Sequence, residues 1–347
     1  MGLDTERTAP PGTTSRRVVM TTLGEPEALR VRTGARPAAR RGRVVVRVEA
    51  AGVSFAEVQT LRGLHPFPPK PPCVLGYDLV GRIVEVGPGV TGWRTGDRVV
   101  SMPRVGAWQE YAEVSAKSLA GVPEDLDAGE AVALVCNGVT AWQMLHRSAR
   151  VRPGATVLVH GASGGVGTLL TQLAVRHGVR VIGTASPAKH DAVRALGAEP
   201  LDYRDDVVAA VRKLAPRGVD AVFDHIGGAG LNAGWSLLAP GGTLVSYDSS
   251  VAGYRPGQWF RPHLPALRKV IGWNVAGLVG AARGRRARTY YVKPGPHFRD
   301  DLASLFTLVR DGVLRPTVAR RYPLDEAGRA VRELIDGGVI GKLVLVP

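Results

Sequence analysis

Cysteine is close to absent: Cys73 and Cys136 are the only two in 347 residues, and neither stands in a C-x-x-C or similar metal-binding spacing. That excludes a disulfide framework and makes a reducing cytoplasm the expected compartment. Long apolar runs are missing too, and no uninterrupted stretch approaches the ~20 residues that a spanning helix needs. Residues 1–15 are polar, carry Pro10-Pro11-Gly12 and hold no apolar signal core, so a disordered leader rather than a targeting peptide is expected there. Acidic residues are outnumbered, 30 against 45 Lys plus Arg, which leaves a net charge of +15. A basic surface admits nucleic acid or anionic lipid as partners, but these cations are spread along the chain and argue against a dedicated polyanion groove. One cluster stands apart, Arg283, Arg285, Arg286 and Arg288, after the apolar residues 270–282. A surface loop at one edge of an active site is expected there. The alternative is an amphipathic membrane contact, which Gly272, Gly277 and Gly280 disfavour because each weakens a helix by up to ~1 kcal/mol.

Glycine, by contrast, is placed with purpose. The run Ala155-Thr156-Val157-Leu158-Val159-His160 is apolar and β-rich, stops at Gly161-Ala162-Ser163-Gly164-Gly165-Val166-Gly167, and resumes as a helical pattern. Glycines there let the backbone turn tightly and approach a pyrophosphate, while the N–H groups and dipole of the following helix attract its charge. A helix over residues 165–177, a strand at 180–183 and a second helix near 189–196 complete a right-handed βαβ unit. Further apolar β runs at 218–224 and 241–247 extend the parallel sheet. At the end of the second strand an NAD-specific site offers an acidic residue to the ribose, whereas a 2′-phosphate needs cations and hydroxyls. Here stand Thr184, Ala185 and Ser186, then Lys189, with no acid before Asp191. NADPH is therefore favoured over NADH, the alternative for Lys189 being a solvated helix charge. At this length the chain accommodates two domains, each with its own core.

Ahead of that unit lie short strands and many turns: residues 43–48, 81–90, 96–100 and 107–114 each read as strands of a small β-barrel. The ordered set Gly76-Tyr77-Asp78-Leu79-Val80-Gly81, Gly96-Asp97-Arg98-Val99, Asn137-Gly138-Val139-Thr140-Ala141-Trp142, the glycine turn, Leu196-Gly197-Ala198, Asp202-Tyr203-Arg204, Tyr322-Pro323-Leu324 and Gly341-Lys342-Leu343-Val344-Leu345 resembles the medium-chain dehydrogenase/reductases, in their quinone oxidoreductase branch. The resemblance spans residues 16–347. It implies an α/β fold in which a Rossmann doubly wound parallel sheet (residues 132–292) is inserted in a GroES-like β-barrel catalytic domain (16–131 plus 293–347). It further implies a substrate cleft between the two and a homodimer. It assigns Gly164, Gly165, Val166 and Gly167 to the pyrophosphate, Lys189 and Tyr203 to the 2′-phosphate, Thr140 and Ser246 to the nicotinamide side, and Asn137, Gly161 and Ser163 to cofactor binding in general.

The zinc branch of that superfamily takes its catalytic ligands from a Cys in the segment written here Ala51-Gly52-Val53-Ser54-Phe55-Ala56-Glu57, a His at the position of Tyr77, and often a Cys near Cys136. The first two are missing here, and residues 101–106 replace the lobe that holds structural zinc, so no metal site is expected. Cys136 alone reads as a buried small residue. The remaining chemistry is hydride transfer from NADPH to a quinone or to the C=C of an α,β-unsaturated carbonyl, where the developing enolate oxygen needs only hydrogen-bond donors. The relatives' Asn-Phe-x-Asp is here Ser54-Phe55-Ala56-Glu57, and the Tyr that some enoyl reductases use as a proton donor aligns with Gln59. Ser54, Gln59 and Tyr77 are the candidate catalytic groups, each with an ordinary alternative as turn cap, surface amide or core packing. Glu57 is expected as a helix-start carboxylate, the alternative being a general base beside the active segment, and Asp224 as the shaper of a turn. The substitutions at positions 54 and 59 admit a specialised substrate in secondary metabolism. The competing reading is a noncatalytic NADPH-binding member that contacts RNA or a membrane surface, supported by the net charge, the arginine cluster and the missing Tyr.

Overall fold

The computed structural model of the protein describes residues 13–65, 68–247, 264–278 and 281–347. Six parallel strands run side by side in the order Glu199–Asp202, Arg180–Ala185, Thr156–Val159, Val219–Asp224, Leu238–Ser246 and Arg286–Thr289. The strand order reverses direction beside Thr156–Val159, and such a switch point opens a crevice at the carboxyl ends of the strands. The strand sequences explain their depth, because side chains alternate between faces and both faces are apolar. Val157, Val159, Val181, Ala221, Phe223 and Val245 enter one core layer. Leu158, Ile182, Val222 and Leu244 enter the other.

The second sheet is built around the long strand Arg43–Val53. One edge of it carries Leu79–Val86, with two register shifts. Its other edge is shared, antiparallel, between Tyr111–Ser115 and the C-terminal strand Lys342–Val346. The barrel core closes around Trp108, which is fully buried and whose indole N–H donates to the Gly52 carbonyl at 2.9 Å. The chain that left the barrel thus returns to it, and on the way the Gly341 N–H donates to the Ser163 carbonyl at 2.9 Å. Gly341 has φ +85°, and a Cβ there would stand 2.2 Å from the Thr317 carbonyl oxygen, so this close approach admits only glycine.

Three expectations need correction. The first strand, Thr14–Met20, begins inside the expected leader, because it pairs along its length with Leu29–Ala35. Residues 264–278 form a helix rather than a loop. Tertiary contacts outweigh the glycine cost there: Trp273 stacks on Trp235 with ring centroids 4.6 Å apart, and the Asn274 amide exchanges two hydrogen bonds with the backbone of Ala287. In sequence the aromatics of this segment leave a pocket wall and plain core packing both open; Trp273 is packing, while Trp259 and Phe260 lie outside the described residues. Finally, Arg286 and Arg288 sit on the outer strand of the parallel sheet, and none of the four clustered arginines lines the cleft described next.

Trp108→Ala is expected to cost about 3–5 kcal/mol, read as a lower urea midpoint at unchanged slope. A loss under about 1 kcal/mol would contradict the packing described.

Candidate active site

A cleft of about 320 Å³ lies where the carboxyl ends of the parallel strands face the barrel. Its floor is the glycine turn. Gly164 caps the helix Gly165–Arg176 without a side chain, and no acidic residue occupies the first turn, so the terminal N–H groups and the positive end of the helix dipole stay available. The glycines are dictated by crowding. A Cβ on Gly167 would stand 2.1 Å from the Gly161 carbonyl oxygen, and one on Gly165 2.2 Å from the Asn137 amide nitrogen. Asn137 reaches that place from a π-wide turn, Leu134–Gly138, a geometry often found at functional sites. Thr140 follows it on the short helix Val139–Trp142, and both side chains are buried and line the cleft.

The opposite wall is polar and buried. Asp78 is fully enclosed; its Oδ1 accepts from the Gly52 N–H at 3.1 Å and its Oδ2 from the Cys136 N–H at 3.2 Å. Both oxygens accept, which is the hydrogen-bonding pattern of the carboxylate. The Lys342 ammonium stands 3.7 Å from Oδ2, an ion pair beyond hydrogen-bond range, and has no acceptor among the described residues. Burial works against its charge, but Asp78, Cys136 and Glu57 outweigh burial and hold its pKa above the ordinary lysine value. Glu57 begins its helix as expected and does more: Oε2 accepts from the Ser54 N–H at 2.8 Å and from its hydroxyl at 2.5 Å, and Oε1 accepts from the Tyr77 N–H at 2.7 Å. It therefore sets the position of two candidate groups at once. Burial pushes its carboxyl up to about 7, against Lys342 and the Ser54 hydroxyl. Gln59 is buried in the same wall, and its Nε2 has no acceptor among the described residues.

Of the residues singled out from the sequence, Ser54, Gln59, Tyr77, Asn137, Thr140, Gly161, Ser163, Gly164, Gly165, Val166, Gly167 and Lys189 line this cleft. Thr184, Ser186, Tyr203 and Ser246 are not among the lining residues. The Thr184 hydroxyl is committed to the turn, accepting from the Gly161 N–H at 3.1 Å beside His160 Nδ1 at 3.2 Å. Ser186 precedes the short turn Pro187–Lys189, Tyr203 is 57% exposed, and buried Ser246 accepts from the Tyr290 N–H at 2.8 Å. Cys136, expected as a buried filler, is half-buried and lines the cleft, where burial pushes its thiol up. Asp224 shapes its turn as expected, accepting from the N–H groups of Ile226 and Gly227. His65, His225, Tyr247, Tyr290, Tyr291 and Lys342 join the lining without having been singled out as site residues; Lys342 lay within a recognised motif, and His225 next to Asp224 in the turn expected there.

Residues 40–124 match the family described as alcohol dehydrogenase GroES-like domain, and residues 196–345 the one described as zinc-binding dehydrogenase. The chain is 34% identical to a synaptic vesicle membrane protein VAT-1 homolog of Danio rerio, over 96% of this chain and 70% of that one. It is 33% identical to a 2-haloacrylate reductase of a Burkholderia species, over 88% and 91%. This chain belongs to the medium-chain dehydrogenase/reductase superfamily. Within that superfamily it falls in the zinc-independent branch, and the 2-haloacrylate reductase relative supports an oxidoreductase. A mycobacterial protein solved in complex with NADPH superposes with TM-score 0.83 at 31% identity, over 96% of this medium-chain reductase and 100% of its neighbour. Among the described residues no three His, Cys, Asp or Glu side chains gather as a metal site, and no helix is long and apolar enough to cross a membrane. The glycine floor, the uncapped helix end and the Lys342 ammonium, which has no hydrogen-bond acceptor among the described residues, together fit the phosphates of a nicotinamide dinucleotide.

The Glu57 carboxyl keeps its proton to about pH 7 when folded and to about 4.5 when free. The folded state binds the extra proton between those values, so its contribution to stability falls as pH rises from about 4.5 to about 7 and is level above. Urea unfolding across that range is expected to show the decline in the wild type and a flatter profile in Glu57→Gln; identical profiles would contradict the assignment.

Proposed function

We propose that this chain is an NADPH-dependent, zinc-independent reductase that delivers hydride to a quinone or to the C=C of an α,β-unsaturated carbonyl. The observation that carries the reading is one cleft joining an uncapped glycine turn to a buried wall in which two donors, Gln59 Nε2 and Lys342 Nζ, find no hydrogen-bond acceptor among the described residues. Binding a ligand there satisfies groups that the fold leaves unsatisfied. NADPH, when bound, supplies the hydride. The backbone of Gly164, Gly165, Val166 and Gly167 holds the pyrophosphate, and Asn137 and Thr140 lie on the nicotinamide side. Gln59 donates to the acceptor's developing oxyanion, while Ser54, whose single hydroxyl proton goes to Glu57, shapes the wall beside it. Relatives support both halves of the reading: one neighbour was solved with NADPH, and another is a reductase of 2-haloacrylate.

Lys189 is the cation for the 2′-phosphate. Its ammonium already donates to the carbonyls of Gly337 and Val339, and an ammonium has three N–H groups, so one remains for the phosphate. These contacts also tie the nucleotide sheet to the C-terminal part of the barrel. Tyr203 and Ser186 lie near enough in sequence to frame the phosphate from the solvent side.

Oxidation of NADPH and NADH by the protein is expected with quinone and enone acceptors, with NADPH preferred. A charged hydrogen bond is worth about 1.5–3 kcal/mol, so Lys189→Ala should raise KM for NADPH by about 10-fold to 100-fold and leave NADH nearly unchanged. Equal effects on both cofactors would reject the phosphate role, and no turnover with any acceptor would reject the reductase.

A further inference from the structure

Three side chains in the cleft form one hydrogen-bonded chain. The Tyr77 hydroxyl meets the Tyr291 hydroxyl at 2.8 Å, and the Tyr291 hydroxyl meets His65 Nε2 at 3.3 Å. Their rings lie close, the His65 centroid being 6.1 Å from that of Tyr77 and 6.3 Å from that of Tyr291. They arrive from three places: His65 just beyond the helix Phe55–Leu61, Tyr77 just before the strand Leu79–Val86, and Tyr291 just after the strand Arg286–Thr289. All three line the cleft.

Such a chain can meet a need that Gln59 cannot. Hydride addition to an enone leaves an enolate whose α carbon must be protonated, and Gln59, which occupies the position of a relative's donor Tyr, has no transferable proton. We propose that Tyr77 protonates the α carbon and that Tyr291 and His65 return a proton to Tyr77. The proposal rests on the reductase reading given above. The substrate's β carbon receives a hydrogen and two electrons from NADPH, which leaves as NADP⁺, and the C=C pair moves onto the carbonyl as an enolate. That pair then forms the α C–H bond with the Tyr77 proton, and the O–H electrons stay on the phenolate. The phenolate takes the Tyr291 proton, Tyr291 takes one from Nε2 of the doubly protonated His65, which is left as a neutral imidazole, and a solvent proton restores the imidazolium.

The geometry also fixes a direction. When His65 donates from Nε2 to Tyr291, Tyr291 is set to donate to Tyr77, and the Tyr77 proton is left to face the substrate. When His65 Nε2 is bare, both phenols donate inward and Tyr77 has nothing to give. Burial keeps the Tyr77 phenol protonated, well above the usual phenol range. The Glu57 bond to the Tyr77 N–H fixes the backbone that carries it. Tyr77 is thus the catalytic residue, while Tyr291 and His65 are positioning and relay residues.

The test uses the full-length protein, NADPH and an α-methyl enone in D₂O. The wild type is expected to place deuterium on one face of the α carbon. Tyr77→Phe should lower enone turnover by about 100-fold, within the range of general acid catalysis. Tyr291→Phe and His65→Gln should lower it by at least about tenfold and scatter deuterium over both faces, which a merely structural role would not do. Nitrogen-15 NMR of the cofactor-free protein should find His65 protonated at Nε2. Wild-type rate and facial selectivity in Tyr291→Phe, or a bare Nε2, would overturn the relay while leaving the reductase intact. A wild type that oxidises NADPH with neither an enone nor a quinone would overturn both.

Discussion

Asp78 has no exposed surface, and its two oxygens meet three segments that are far apart in sequence: the Gly52 N–H on the central barrel strand, the Cys136 N–H at the start of the nucleotide-binding part, and the Lys342 ammonium on the returning C-terminal strand. A carboxylate buried without partners is among the least tolerable groups in a folded chain. The three segments must therefore converge where Asp78 is, and the cleft is the space their convergence leaves. The contact of Gly341 with Ser163 secures the same seam from the glycine turn, and the Lys189 ammonium closes it a little farther out.

The wall next to that seam is not optimised for stability. Lys342 Nζ and Gln59 Nε2 are buried without acceptors among the described residues, and Glu57 is held where burial works against its charge. Buried polar groups in proteins are nearly always satisfied, and the two donors left without acceptors in this wall are groups that a ligand in the cleft can satisfy. The same wall fixes the backbone of Ser54 and Tyr77 through one carboxylate. Positioning of the reacting groups and local instability thus have a common origin.

Much of this was legible in the sequence, for identifiable reasons. The glycine turn is a local pattern: an apolar β run, glycines that crowding demands, and a helix without an acidic first turn. The cleft-lining residues 161 and 163–167 follow from it, as does the parallel sheet. Thr184 was harder, since a hydroxyl at the end of the second strand fits a ribose or phosphate in sequence yet is consumed by the Gly161 N–H in space. The helix Leu264–Leu278 was obscured because intrinsic propensity counted its glycines, whereas Trp235 and the backbone of Ala287 supply contacts that propensity does not see. His65, Tyr77 and Tyr291 share no spacing at all; only the tertiary fold brings them together, and so their hydrogen-bonded chain had no signature in one dimension.

The central claim is that the cleft beside Asp78 binds NADPH without help from a metal. Calorimetric titration of protein dialysed against a chelator measures it most directly. Saturable binding of one NADPH per chain, tighter than NADH, is the result that the account predicts. Absence of binding by both cofactors in folded, metal-free protein would contradict it.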